Sequence, residues 1–131
     1  MDKKKIENSH DIYLYKGTVD LNSAKCLLRA FHEDELEIDI EKIYFELQQS
    51  AEKYLKAQLS NVPTEAPKTH DLELLIDACR RNGIKLHERI DILIELSDYA
   101  VEGRYAIIHD DIDESDKYIE LLEELYAKKN P

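Results

Sequence analysis

Apolar residues recur at intervals of three and four along most of this chain, the spacing that places side chains on one face of an α-helix. The clearest segment covers residues 38–59, and its apolar members are Ile40, Ile43, Tyr44, Leu47, Ala51, Tyr54, Leu55 and Leu59. Glu52 and Lys56, one turn apart, are predicted to pair on the outer face of this helix. Similar patterns fall at residues 11–32, at about 72–82, at 87–102 and from about 115 to the C-terminal lysines. The pattern therefore predicts five amphipathic helices.

Residues that break helices are few and mark the predicted boundaries. The chain has only three Gly and three Pro, with 36% charged and 43% hydrophobic residues. A sheet protein needs more of these turn-forming residues between its strands. Pro63 and Pro67 predict one substantial loop, because proline cannot continue a helix. Asp71 or Thr69 is suited to cap the third helix, and Gly83 to end it. Asp113 or Ser115 is suited to cap the fifth helix, whose predicted buried residues are Tyr118, Leu121, Leu122 and Leu125. We expect an all-α fold, with a polar segment at 1–10 and one helical domain at 11–129.

The charge of the chain limits its partners. It carries 29 acidic and 18 basic residues, a net charge of −11. Such a surface repels phosphate backbones and anionic membranes, so we expect no DNA binding and no membrane association, although a small basic cleft could accept a nucleotide or an RNA. There is no apolar run of about 18 residues, and no apolar run follows the basic residues at 3–5, so we expect no membrane span and no signal peptide. Cys26 and Cys79 fall at apolar helix positions and are predicted to be buried thiols, which favours a cytoplasmic protein.

Metal and cofactor sites lack support in the sequence. The five histidines and two cysteines show none of the Cys-x-x-Cys, His-x-x-x-His or His-Glu-x-x-His spacings. A calcium loop starting at Asp111 fails, because Asp116 stands where glycine is required and Leu122 where a bidentate glutamate is required. Glycine-rich phosphate loops and dinucleotide fingerprints are also missing. We therefore predict no metal and no cofactor.

Arg104 and His109 could form a phosphodiester-cleaving pair. On a regular helix their offset separates the side chains by about 140°, so they converge only if the chain bends after Gly103. Histidine could then take the proton of a ribose 2′-hydroxyl while arginine holds the phosphate. The following acids Asp110 and Asp111 oppose this chemistry, because they repel phosphate and favour protonated histidine. The alternative interpretation is a charged helix end, where the helix dipole favours arginine.

Three further residues have both a structural and a binding interpretation. His70 precedes a predicted helix start, where its imidazole can hydrogen-bond the backbone and fix the loop, or else bind a ligand. Gln48 and Gln49 lie in the middle of the second helix beside its apolar face. They are either solvated or paired with a neighbouring helix, or they read a base or phosphate edge together with Lys53.

Several blocks of the sequence resemble the HEPN domain family of small bacterial and archaeal helical proteins. They are "VDLNSAKCLL" in the first helix, "FELQQSAEKYLKAQL" in the second, then "PKTHDLELLIDAC" and "LSDYAVEGRY". The resemblance implies an up-down bundle of four to five antiparallel helices that forms homodimers. It also implies a gene neighbour, a minimal nucleotidyltransferase, with which the protein forms a toxin–antitoxin-like pair.

The resemblance also suggests roles for individual residues. Some members are metal-independent ribonuclease toxins with an arginine, four to six residues and a histidine, which Arg104 and His109 match. Tyr105 sits where related toxins have a tyrosine that the antitoxin can modify with AMP. This chain departs from the toxins in having Tyr105 directly after the arginine, where they have a small polar residue, and Asp110 and Asp111 after the histidine.

Three functions follow as expectations. The first is a non-enzymatic or weakly enzymatic homodimer that docks a minimal nucleotidyltransferase and forms a nucleotide-facing cleft from Arg104, Tyr105, His70, Gln48 and Lys53. The second is a metal-independent endoribonuclease with His109 as the general base and Arg104 as the phosphate clamp at the dimer interface. The third is a stand-alone helical interaction module.

Overall fold

The structure, a computed structural model, describes residues 8–34, 36–100 and 114–128. Its helices are α1 (Ser9–Glu33), α2 (Ile40–Leu59), α3 (Leu72–Arg81), a 3₁₀ helix (Ile90–Tyr99) and α4 (Ser115–Ala127). Within these ranges there is no strand, and the predicted all-α bundle is confirmed. Helix α2 is central, because it packs against α1, α3, α4 and the 3₁₀ helix.

The ends of α1 and α3 follow from local hydrogen bonds. Asn8 caps α1 by accepting from the amide of Asp11 at 2.9 Å, and Asp71 caps α3 by accepting from the amide of Glu73 at 2.9 Å. Gly83 has a φ of 74° and ends α3, in the left-handed conformation that glycine adopts at least cost. The predicted cap at Asp71 and the predicted stop at Gly83 are both confirmed.

The fourth helix differs from the prediction. An α-helix was expected over residues 87–102, but the chain forms a 3₁₀ helix at Ile90–Tyr99. Its buried residues are Ile90, Leu93, Leu96 and Tyr99. They recur at every third position, and residues three apart lie on the same side of a 3₁₀ helix, which has three residues per turn. The 3₁₀ conformation therefore buries this whole row against the core.

Helix α4 has the predicted buried face. Tyr118, Leu121, Leu122 and Leu125 are all buried. Its N-cap is Glu114, whose side chain makes no capping hydrogen bond, so the predicted cap at Ser115 is wrong and Ser115 is the first residue of the helix. The other predicted cap, Asp113, lies outside the described residues.

Gly17 lies where α1, α2 and α4 meet. Its carbonyl accepts a hydrogen bond from the Ser50 hydroxyl of α2 at 2.9 Å. The carbonyl of Ser50 in turn accepts from the Tyr126 hydroxyl of α4 at 2.6 Å. A Cβ atom added at Gly17 would lie 1.8 Å from the Tyr126 hydroxyl oxygen. The interior glycine, which weakens an isolated helix, is therefore required by the close approach of the three helices.

Candidate functional site

The candidate site is built around the buried carboxylate of Glu52. This residue of α2 is only 7% exposed. One carboxylate oxygen accepts from Gln48 Nε2 at 3.0 Å and contacts His70 Nδ1 at 2.9 Å. The other accepts from Lys56 Nζ at 2.9 Å. The sequence pattern predicted the Glu52–Lys56 pair on the outer face of α2. The pair is confirmed, but its position is wrong, because the segment before α3 brings His70 against this face.

His70 is held so that one ring nitrogen is left available. A carboxylate only accepts hydrogen bonds, so Nδ1 of His70 donates to Glu52 and carries the proton. In the neutral imidazole, Nε2 is then an acceptor. The His70 side chain is 64% exposed, and its Nε2 has no partner among the residues that the structure describes. The site therefore presents an oriented imidazole nitrogen at the surface.

The hydrogen bonds at Glu52 also set its charge. Burial by itself raises the pKa of this carboxyl group, because it disfavours the ionised form. The hydrogen bonds from Lys56, His70 and Gln48 act in the opposite direction and together outweigh burial, so the pKa of Glu52 lies below its usual value. Glu52 is consequently ionised at neutral pH and holds His70 as a charged acceptor.

Gln48 lies behind His70. It is fully buried, and its Nε2 donates both to Glu52 and to the backbone carbonyl of His70, the latter at 3.2 Å. Its Oε1 accepts from Gln49 Nε2 at 2.8 Å. Both ends of the Gln48 amide are thus hydrogen-bonded, and Gln48 fixes the Glu52 carboxylate and the backbone at His70.

Lys53 belongs to the same network but is turned toward α1. Its ammonium group pairs with the carboxylate of Asp20 on α1 and lies 3.5 Å from Gln49 Oε1. The structure therefore brings Gln48 and His70 into one cluster through Glu52, and it connects Lys53 to that cluster through Gln49. The periodicity of the sequence did not identify Glu52 as the centre of this cluster. Gln48, Glu52 and Lys56 are each one helical turn apart, and this spacing is the signal that could have identified Glu52.

The other predicted site residues lie outside the described part of the chain. Arg104, Tyr105 and His109 fall within residues 101–113, so their convergence remains a prediction. Tyr44, Tyr99 and Tyr118 form an aromatic cluster beside the last described residues before this segment. The rings of Tyr44 and Tyr99 are stacked at 4.9 Å between centroids, and Tyr118 meets Tyr44 edge-on at 6.1 Å.

That aromatic cluster lines a polar cavity of about 320 Å³. The remaining lining residues are Glu95, Asp98, Glu114 and Lys117. The Tyr118 hydroxyl donates to the carboxylate of Glu95, and burial followed by this hydrogen bond raises the pKa of Tyr118 well above its usual value. Tyr118 is therefore a neutral hydrogen-bond donor throughout the physiological pH range.

Residues 8–34, 36–100 and 114–128 contain no group of three or more His, Cys, Asp or Glu side chains arranged to hold a metal ion. None of the helices in these ranges is long and apolar enough to cross a membrane.

Comparison with known families identifies the class of this protein. The family model of the HEPN domain matches residues 12–130, nearly the whole chain. The chain therefore belongs to the HEPN domain family. Comparisons with curated proteins and with solved structures give no significant match.

The lowered pKa of Glu52 makes the stability of the wild type depend on pH. A carboxyl group whose pKa is lower in the folded state stabilises the fold above its unfolded-state pKa, and this contribution is lost as the pH falls through the folded-state value. We expect wild type to exceed Glu52→Gln in free energy of unfolding at pH 7, with the difference shrinking below about pH 4.5. Urea unfolding at a series of pH values measures this, and a difference that stays constant with pH would contradict it.

Proposed function

We propose that this chain is a homodimeric HEPN module that docks a minimal nucleotidyltransferase, as one half of a toxin–antitoxin-like pair. In this proposal His70, together with Arg104 and Tyr105, faces the nucleotide of the partner, and Gln48 positions His70 from behind. Lys53 has to exchange its pairing with Asp20 for a nucleotide phosphate in order to take part. The observation that carries the proposal is the Glu52–His70 contact of 2.9 Å, which joins a buried carboxylate to an exposed imidazole.

The energetic cost of this arrangement supports a functional role. Burying a carboxylate costs several kcal/mol unless hydrogen bonds and an opposite charge compensate, and apolar residues often stabilise such a position equally well. Here Gln48 and Lys56 provide part of the compensation, while the third partner, His70, is largely exposed. The oriented Nε2 of His70 accepts hydrogen bonds from hydroxyl or amino groups when neutral and binds phosphate when protonated. Hydroxyl, amino and phosphate groups all occur in a nucleotide.

The net charge of the chain supports a protein as the docking partner. A charge of −11 steers a basic surface toward this chain and repels an extended nucleic acid. A nucleotide bound to the partner would then reach His70 with its phosphates already neutralised by that basic surface. This arrangement reconciles a nucleotide-facing site with an acidic module.

The outer side of α1 supports the homodimer in this proposal. Ile12 and Val19 are 42% and 44% exposed and lie seven residues apart, and Cys26 continues the row at the same interval. The prediction that Cys26 is buried is wrong, because its side of α1 faces away from α2. Exposed apolar residues that follow one side of a helix mark a surface that a second helix can cover. We assign this row to the contact between two copies of the chain.

Val19→Glu is expected to break the homodimer. The substitution places a charge at the centre of the apolar row on α1, which would be buried without a partner in the dimer. Light scattering should show a dimer for wild type and a monomer for Val19→Glu, with dimerisation weakened by at least about tenfold. Leu74→Glu, at another exposed apolar residue, 49% exposed on α3, should remain dimeric. A monomeric wild type, or a dimer unaffected by Val19→Glu, would contradict this assignment.

The nucleotidyltransferase part of the proposal can be tested with the minimal nucleotidyltransferase that the proposal expects to be encoded beside this gene. The two proteins should co-purify, and His70→Ala should lower the rate of AMP transfer to this chain by at least about tenfold while the complex persists. His32→Ala, at an exposed histidine at the end of α1, is the control and should have no effect. Absence of a complex would refute the proposal.

The same preparation also tests the ribonuclease alternative. If the purified chain degrades RNA in EDTA, and if Arg104→Ala and His109→Ala each abolish this activity, the chain is an endoribonuclease toxin and the proposed non-enzymatic role is wrong. An inert wild-type chain that still binds the nucleotidyltransferase supports the proposed role.

A further inference from the structure

His70 differs from the other histidines that the structure describes. Both ring nitrogens of His87 are hydrogen-bonded, one to a backbone amide and the other to a carboxylate, each at 3.0 Å. The side chain of His10 is only 10% exposed. His32 is exposed but has no carboxylate partner in the described ranges. Among these four histidines, His70 alone combines a buried carboxylate at one ring nitrogen with a free nitrogen that faces solvent.

The carboxylate that holds His70 is itself fixed. Gln48 and Lys56 donate to Glu52 at 3.0 and 2.9 Å, so the carboxylate cannot rotate away from the imidazole. Gln48 also donates to the backbone carbonyl of His70 at 3.2 Å. The ring therefore keeps Nδ1 on Glu52 and Nε2 directed outward. A carboxylate in this position stabilises the positive charge that an imidazole acquires when its other nitrogen forms a bond.

This arrangement is that of an activated histidine nucleophile. A hydroxyl nucleophile must first lose its proton to a base, whereas Nε2 in this tautomer carries no proton and has its lone pair free. An acyl group on an imidazole hydrolyses quickly in water, but a phosphoryl group on an imidazole persists at neutral pH. The group is therefore suited to a lasting reaction with a phosphorus electrophile, such as the nucleotide that His70 faces in the proposed complex.

We infer that His70 Nε2 accepts a nucleotidyl group from a nucleoside triphosphate and forms a phosphoramidate. The Nε2 lone pair attacks the α-phosphorus and forms an N–P bond. The bond from this phosphorus to the bridging oxygen breaks, and pyrophosphate leaves with the electron pair. Nδ1 keeps its proton in the hydrogen bond to Glu52, whose charge offsets that of the modified ring. The inference rests on the proposed function for its donor, but the reactivity of His70 is a property of the isolated chain.

The isolated chain can be tested with the phosphorimidazolide of AMP, a chemical donor of an AMP group whose leaving group is imidazole. The reaction is run at a pH where the imidazole of His70 is neutral. Peptide mass spectrometry in alkaline solution locates the adduct, because phosphoramidates hydrolyse in acid. His70 should react at least about tenfold faster than His32, the exposed histidine without a carboxylate partner in the described ranges. Equal rates at the two histidines would overturn the inference.

Substitution of Glu52 tests its role as a positioning residue. Glu52→Gln should lower the rate at His70 by at least about tenfold, because a neutral amide does not offset the positive charge of the ring. Glu123→Gln removes a carboxylate that pairs with Lys25, away from His70, and should react like wild type. In the wild-type adduct, ¹⁵N NMR should show the coupling to phosphorus at Nε2. Coupling at Nδ1, or an unchanged rate in Glu52→Gln, would overturn the inference.

The reaction with the minimal nucleotidyltransferase separates this inference from the proposed function. With ATP labelled at the α-phosphate, the label on this chain should be labile to acid and stable to alkali. It should be lost in His70→Gln and kept in His32→Gln. An acid-stable label that is lost in Tyr105→Phe would overturn the inference and leave the proposed function intact. If the two proteins form no complex, the proposed function fails, and the reaction of the isolated chain decides the inference by itself.

Discussion

Replacing Gly17 by alanine is expected to destabilise the fold by about 2 kcal/mol, whereas the same change in an ordinary helix interior stabilises by up to about 1 kcal/mol. The added Cβ would lie 1.8 Å from the Tyr126 hydroxyl oxygen and 2.7 Å from the ring carbon that bears it. The ring must therefore move, and the hydrogen bond from Tyr126 to the Ser50 carbonyl is lost with it. Chemical denaturation followed by circular dichroism measures the change in the free energy of unfolding.

A double-mutant cycle with Tyr126→Ala is the control for this prediction. Without the tyrosine ring the new methyl group has room, so Gly17→Ala should be neutral or stabilising in the Tyr126→Ala background. The coupling between the two sites should then amount to about 2 kcal/mol. If Gly17→Ala costs the same with and without Tyr126, the close approach of α1 and α4 does not explain the glycine.

Replacing Glu52 by alanine is expected to destabilise the fold by about 3 kcal/mol, the cost typical of breaking a buried charged network. The variant leaves the buried amide of Gln48 and the ammonium group of Lys56 without their shared acceptor. It also releases the imidazole of His70, while the hydrogen bond from Gln48 Nε2 to the His70 carbonyl remains. Hydrogen exchange should accordingly show faster opening around His70 than in wild type.

Glu123→Ala is the matched control for Glu52→Ala. Glu123 also pairs with a lysine, Lys25 at 2.8 Å, but both side chains are substantially exposed, with 49% and 40% of their surfaces accessible. Pairs of this kind contribute less than about 1 kcal/mol. If both variants lose the same free energy of unfolding, the burial of Glu52 does not add to the stability that its ion pair provides.

The sequence predicts well those elements that are determined by residues close to one another along the chain. Asp71 and Gly83 define the ends of α3 through bonds to residues a few positions away, and α2 has a continuous apolar face. The 3₁₀ helix was missed because Ile90, Leu93 and Ile94 also fit the α-helical period. Burial of Leu96 and Tyr99 decides between the two forms, and it depends on packing against other helices.

The candidate site was only partly predictable for the same reason. His70 and Gln48 were both identified from the sequence, but their common partner Glu52 was placed on the exposed face of α2. Its burial depends on the contact with His70, which follows 18 residues later in the chain. A helical period describes the helix itself and carries no information about a loop that covers it. The stacking of Tyr44 on Tyr99 likewise joins residues distant in sequence.

The tautomer of His70 tests the proposed site most directly. If buried Glu52 orients this residue, long-range ¹H–¹⁵N NMR at a pH where the imidazole is neutral should show the proton on Nδ1 and a free Nε2. The signal should lose this pattern in Glu52→Ala. A proton on Nε2 in the wild type, or a tautomer ratio that does not respond to the loss of Glu52, would contradict the account.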